Sequence, residues 1–148
     1  MKNRITASFI TKKVPSILLA LTLLFMMGSC ARKISFQNSE IAPAAEGRVK
    51  VKKDGNSNYE IKIDLNNLAH SERLTPARNV YVVWMETDQN MTKNIGQINS
   101  SKNFMSNKLK ASFETVSSFK PVKIFITAED EASISSPGNT IVMTTRSF

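Results

Sequence analysis

Tyr59, Ile61, Ile63 and Leu65 alternate one by one with Glu60, Lys62 and Asp64. A helix returns to the same face every third or fourth residue and a strand every second. This stretch can therefore bury an apolar face only as a strand with its polar face in water. Val49 and Val51 interleave in the same way with Arg48, Lys50 and Lys52, and Asp54-Gly55-Asn56 between the two stretches is a turn signal. Together they predict an antiparallel hairpin with one wet face.

Further strands follow. Val80 to Met85 is a continuous apolar run rich in β-branched and aromatic side chains, which predicts a central strand buried on both faces. Residues 94–98, with Gly96 inside, form a short strand. Leu109, Ala111 and Phe113 alternate with polar neighbours. Residues 122–127 follow Pro121, and residues 141–144 follow the turn Ser136-Pro137-Gly138-Asn139. About seven short strands, with no helical period after the first thirty residues, predict an all-β fold. The expected form is an immunoglobulin-like antiparallel β-sandwich over residues 47–148. A chain of 148 residues has room for one such domain, and its 41% hydrophobic content excludes global disorder. Residues 31–46 are polar and irregular around Pro43, and read as a flexible tether.

Lys2, Arg4, Lys12 and Lys13 precede an apolar run from Ile17 to Met27. A spanning helix needs about 20 apolar residues, so this run is too short and reads as the core of a secretory signal peptide, residues 1–29. Its exit, Met27-Gly28-Ser29-Cys30, resembles a bacterial lipobox. The likeness implies cleavage between Ser29 and Cys30, with the Cys30 thiol taking a diacylglyceryl group. Gly28 and Ser29 let a peptidase hold an extended backbone beside the cut. Cys30 is the only cysteine, so an intramolecular disulfide is excluded. Two or more acyl chains, palmitate among them, would anchor the mature protein to a membrane without spanning it. Ala31 stands where some lipoproteins carry an aspartate that retains them in the inner membrane. The expected location is the outer membrane, facing the periplasm. Removing residues 1–29 leaves 16 basic and 12 acidic residues, a net of +4 that reads as a mixed wet surface and not as a nucleic-acid footprint.

Catalytic patterns are sparse. His70 is the only histidine, so no histidine cluster for zinc can form, and its neighbour Ser71 is poorly placed for a triad. No glycine-rich phosphate loop occurs. Glu129-Asp130-Glu131 are consecutive, as in a solvated turn, and not spaced as calcium ligands. No catalytic residue, metal or cofactor is expected. The candidate ligand or partner surface is Trp84 with Glu86, Glu129 and Asp130, where Glu86 at the end of its strand could approach the acidic cluster. A carboxylate pair of glycosidase type would require a cleft there, and a tryptophan such as Trp84 is more often core than pocket in a small sandwich.

Val80-Tyr81-Val82-Val83-Trp84-Met85 resembles a strand in the C-terminal, extracytoplasmic domain of anti-sigma-K factors. Asn94-Ile95-Gly96-Gln97-Ile98, Ile126-Thr127-Ala128-Glu129, and Ser136-Pro137-Gly138 before Ile141-Val142-Met143 are similar to later strands and the last turn of that domain. The resemblance spans residues 59–143 and implies an immunoglobulin-like sandwich without catalytic residues. That family holds sigma factors through a cytoplasmic helical domain joined by a spanning helix, and here a lipoprotein signal stands in place of both. The expected function is a non-enzymatic envelope lipoprotein that binds another envelope protein or serves as a structural part. The alternatives are an accessory or sensor protein in envelope-stress signalling, and a small enzyme or carrier of an apolar ligand.

Overall fold

The computed structural model of the chain describes residues 31–98 and 109–148. The signal segment, Ser29 and Cys30 lie outside the described residues. Eight strands form: β1 (Arg32–Ser35), β2 (Glu46–Lys53), β3 (Tyr59–Asn66), β4 (Val80–Thr87), β5 (Thr92–Ile98), β6 (Lys110–Ser117), β7 (Pro121–Glu129) and β8 (Ile141–Thr144). They make two four-stranded antiparallel sheets, ordered β1-β2-β3-β6 and β5-β4-β7-β8. A 3-10 turn at Ser71–Arg73, the one helical turn among the described residues, interrupts the loop between β3 and β4.

The period of two decides which side chains meet. In the first sheet Val49, Ile61, Ile63 and Leu65 point inward. In the second, Tyr81, Val83, Met85, Ile124 and Ile126 do so, and all of these pack in one buried cluster. The fold is a β-sandwich. Lys62 and Asp64, between the inward residues of β3, stay on the wet face, where Lys62 meets Glu114 of β6 at 3.1 Å. That hydrogen bond raises the Lys62 ammonium above its ordinary value. The β2–β3 turn is closed by Asp54, whose Oδ1 accepts from the backbone N–H of Asn58 and of Asn56, both at 2.8 Å. The Asn58 bond is the main cause that holds the Asp54 carboxyl below its usual range.

The tether expected at residues 31–46 is corrected: that stretch belongs to the fold, and Ala31–Phe148 forms one compact unit. Arg32–Ser35 pairs with β2 in the register Arg32↔Val51 to Ser35↔Arg48. Beyond it, Phe36 donates its N–H to the Gly47 carbonyl at 3.0 Å, and Gln37 donates to the Thr144 carbonyl at 2.8 Å. Phe36 also bridges to Thr145. Residues 36–37 thus join β2 of one sheet to the end of β8 in the other and close one side of the sandwich. Ala42 and Ala45 are buried below this segment. Two apolar side chains, Ile34 and Phe36, suffice for a strand here because both sheets supply backbone partners.

Gly96 answers a specific demand. It has φ +139°, and a Cβ there would come within 2.7 Å of the Phe113 ring. It also follows a bulge: Val83 pairs with Gly96 while Trp84 pairs with Asn94, so Ile95 is the extra residue.

Tyr81 anchors the β3–β4 loop by donating its hydroxyl to the Ala69 carbonyl at 2.9 Å. Burial pushes its phenol up from 10.0 to about 12. A raised phenol value means that the associated stability is whole below pH 10 and is lost as the pH rises through about 12. Tyr81→Phe is therefore expected to flatten the loss of stability above pH 10, read by urea unfolding at stepped pH. In the core, Ile63→Ala is expected to cost about 2–5 kcal/mol. Val116→Ala, at an exposed position, is expected to change stability by no more than about 0.5 kcal/mol in the same assay.

Candidate functional site

Strand β4 is apolar on both faces, and its outer face needs a cover. Val82 and Trp84 point away from the main core and form a second buried cluster with Phe125 of β7. The Trp84 and Phe125 rings stack with centroids 6.3 Å apart and planes 14° apart. The segment between β7 and β8, residues 130–140, crosses over them and contributes Ile134. Trp84 is fully buried, and its indole N–H donates to Thr127 Oγ1 at 2.8 Å.

That strap is held at three places. The bulge in β5 turns Asn94 outward, and its amide donates to the carbonyls of Ala132 at 2.8 Å and Ile134 at 3.0 Å. Glu129 Oε1 accepts the Gly138 N–H at 2.8 Å, and a Cβ on residue 138 would sit 2.6 Å from Glu129 Oε2. Asp130 pairs with Arg78 at 2.9 Å, and its carbonyl accepts from the Asn79 amide at 3.1 Å.

The candidate residues are therefore divided by the fold. Trp84, Glu129 and Asp130 belong to the strap and the cluster under it. Glu86 lies opposite Lys123, with which it pairs at 2.8 Å, while Glu129 lies opposite Val80. Six residues of strand separate these two levels, about 20 Å at 3.3 Å per residue. The approach of Glu86 to the acidic cluster is corrected: a carboxylate pair for glycoside hydrolysis needs about 5–10 Å. Trp84 is core, though of the outer cluster and not of the space between the sheets. Ser71 is buried, and its hydroxyl has no hydrogen-bond partner, His70 included. Among the described residues no group of three or more His, Cys, Asp or Glu could hold a metal ion, and no helix is long and apolar enough to cross a membrane.

The open concave surface lies elsewhere. A cleft of about 770 Å³ runs between β1 and the last residues of the chain, and is lined by Arg32, Lys33, Arg146 and Phe148 among others. A second, of about 560 Å³, shares Lys33 and residues 35–38 and continues over Arg48 and Lys50. The Arg32 guanidinium lies 5.5 Å from the centre of the Phe148 ring. The first cleft has no Asp or Glu in its lining, while the second also holds Glu46 and Asp64, the latter paired with Lys50 at 3.0 Å. The sequence hinted at this surface through the polar face of β2, but Arg146 reaches it only through the pairing of residues 36–37 with the end of β8. No family model matches the chain, and no curated protein or solved structure matches it either.

Asn94→Ala would leave the two strap carbonyls unpaired, at a cost of about 1–3 kcal/mol. Trp84 is the only tryptophan, so its fluorescence reports the cover directly. In the native protein acrylamide is expected to quench it weakly, and in the Asn94→Ala variant more strongly. Equal quenching in both would mean that the strap does not depend on this amide.

Proposed function

We propose that this protein is a bacterial envelope lipoprotein, held to a membrane by lipid on Cys30, whose β-sandwich is a non-catalytic binding or structural module. The observation that carries the reading is the order of residues 1–30: a basic start, a short apolar core, and Met27-Gly28-Ser29 before the single cysteine. The fold adds support. Its first strand opens at Arg32, so cleavage before Cys30 would leave every described strand in the chain. Ala31 after the cysteine, where an inner-membrane retention signal would place an aspartate, supports an outer-membrane location facing the periplasm.

The module reading draws on the separation of Glu86 from Glu129 and the burial of Trp84, which leave the candidate residues with structural work. The strand order supports an immunoglobulin-like assignment. Strands β2, β3 and β6 correspond to A, B and E, and β5, β4, β7 and β8 to C′, C, F and G, with β1 added. That order favours the likeness to the extracytoplasmic anti-sigma domain as a likeness of fold. A role as an accessory or sensor in envelope-stress signalling is the second reading, and it rests on this likeness. The motifs concerned fall on β4, β5, β7 and the final turn, where Tyr81, Trp84, Gly96 and Glu129 hold the sandwich and its strap together.

Metabolic labelling with radioactive palmitate tests the anchor. The full chain is expected to take up label and to sediment with membranes, and Cys30→Ser is expected to lose both. Label retained in Cys30→Ser would refute the reading.

A further inference from the structure

The registers place the ends of all eight strands. Arg32, Lys53, Tyr59 and Ser117 stand at one end of the first sheet, and Asn66 and Lys110 at the other. The short link from β6 to β7 puts Pro121 at the first end, and with it Thr87 and Thr92. Phe148 donates its N–H to the Val122 carbonyl at 2.8 Å, so the last described residues return there too. The end that carries Ala31 is therefore made by five separate segments.

Charge is divided between the two ends. The Ala31 end carries Arg32, Lys52, Lys53, Lys93, Lys120, Lys123 and Arg146, and Lys33 follows Arg32 further along β1. Four carboxylates share this end: Glu86 is taken by Lys123, Asp54 by the backbone of its own turn, Glu60 stands opposite Lys52, and Asp88 sits beside Lys120 in the β4–β5 turn. The cleft between β1 and the chain's last residues has no Asp or Glu in its lining. The opposite end carries Glu46, Glu72, Glu129, Asp130 and Glu131 against Arg73, Arg78 and Lys110 among the described residues. Across the first sheet Lys33, Lys50 and Lys62 stand in one row, an arrangement that like-charge repulsion disfavours. Asp64 relieves Lys50 at 3.0 Å and Glu114 relieves Lys62 at 3.1 Å, and no carboxylate meets Lys33 among the described residues.

We propose that the basic end is a membrane-seating surface that takes the headgroups of anionic phospholipids. The inference rests on the anchor reading for its choice of occupant. Arg32 is two residues after Cys30, so their Cα atoms are no more than about 7.6 Å apart. Lipid on Cys30 would hold Arg32 and Lys33 at the depth of the headgroups, where an anionic surface attracts each basic side chain. The sandwich would then stand on its basic end and turn the acidic end and the strap over Trp84 away from the bilayer.

The test uses residues 31–148, which contain the whole core and lack Cys30, in vesicle flotation. Vesicles of phosphatidylcholine alone are compared with vesicles of phosphatidylcholine mixed with phosphatidylglycerol. The domain is expected to float only with the anionic vesicles, and less so as salt shortens the screening length. Each basic residue near such a surface contributes about fivefold in binding. Lys33→Glu with Lys120→Glu is expected to weaken binding more than tenfold on that scale. Arg73→Glu with Lys110→Glu, the same charge change at the other end, is expected to leave it nearly unchanged. Equal loss from both pairs, or no preference for anionic vesicles, would overturn the proposal. Neither result depends on acylation, so palmitate labelling still judges the anchor by itself.

Discussion

Everything in this fold depends on two apolar sheet faces covering each other. Ile61, Ile63 and Leu65 are buried in one cluster with Tyr81, Val83, Met85, Ile124 and Ile126 of the facing sheet. Burial at about 25 cal/mol per Å² of apolar surface drives the two sheets together. Strand alternation then leaves Lys50, Lys62, Asp64 and Glu114 on the wet side of the first sheet, where they pair. The second sheet differs, because β4 and β7 carry Trp84, Val82 and Phe125 on the outside as well. Those side chains require a third layer, and the strap between β7 and β8 supplies it. Glu129 and Asp130 look like a candidate site in one dimension because they are the pins of that strap.

Seven strands were legible from the sequence because each carries its own signal: alternation in β2, β3 and β6, apolar runs in β4 and β7, bounding turns for β5 and β8. The eighth was not. Arg32–Ser35 offers one apolar residue within four, and its stability comes from β2 and from the link of Phe36 and Gln37 to β8, which are distant in sequence. Burial of β4 on both faces was legible in the run Val80–Met85, but its cover was not, since Asn94 and Gly138 act across about 40 and about 10 residues of intervening chain through register and a bulge. Glu86 and Glu129 are distinguished only by which end of a strand each occupies. Of the basic end only the polar face of β2 was legible, because topology collects the rest from separate segments.

Anchor, fold and charge make one consistent arrangement. On the proposed anchor, a lipid on Cys30 would lie two residues before the first strand, which opens at Arg32. The cations at that end outnumber its carboxylates, while the far end is acidic and carries the strap.

The direct measurement is the mass of the mature protein and of its first peptide after extraction from native membranes in detergent. The account predicts a chain that starts at Cys30, with residues 1–29 absent and the mass of a diacylglyceryl group, with or without a further acyl chain, on that cysteine. A chain that keeps residues 1–29, or one whose Cys30 carries a free thiol, would contradict it.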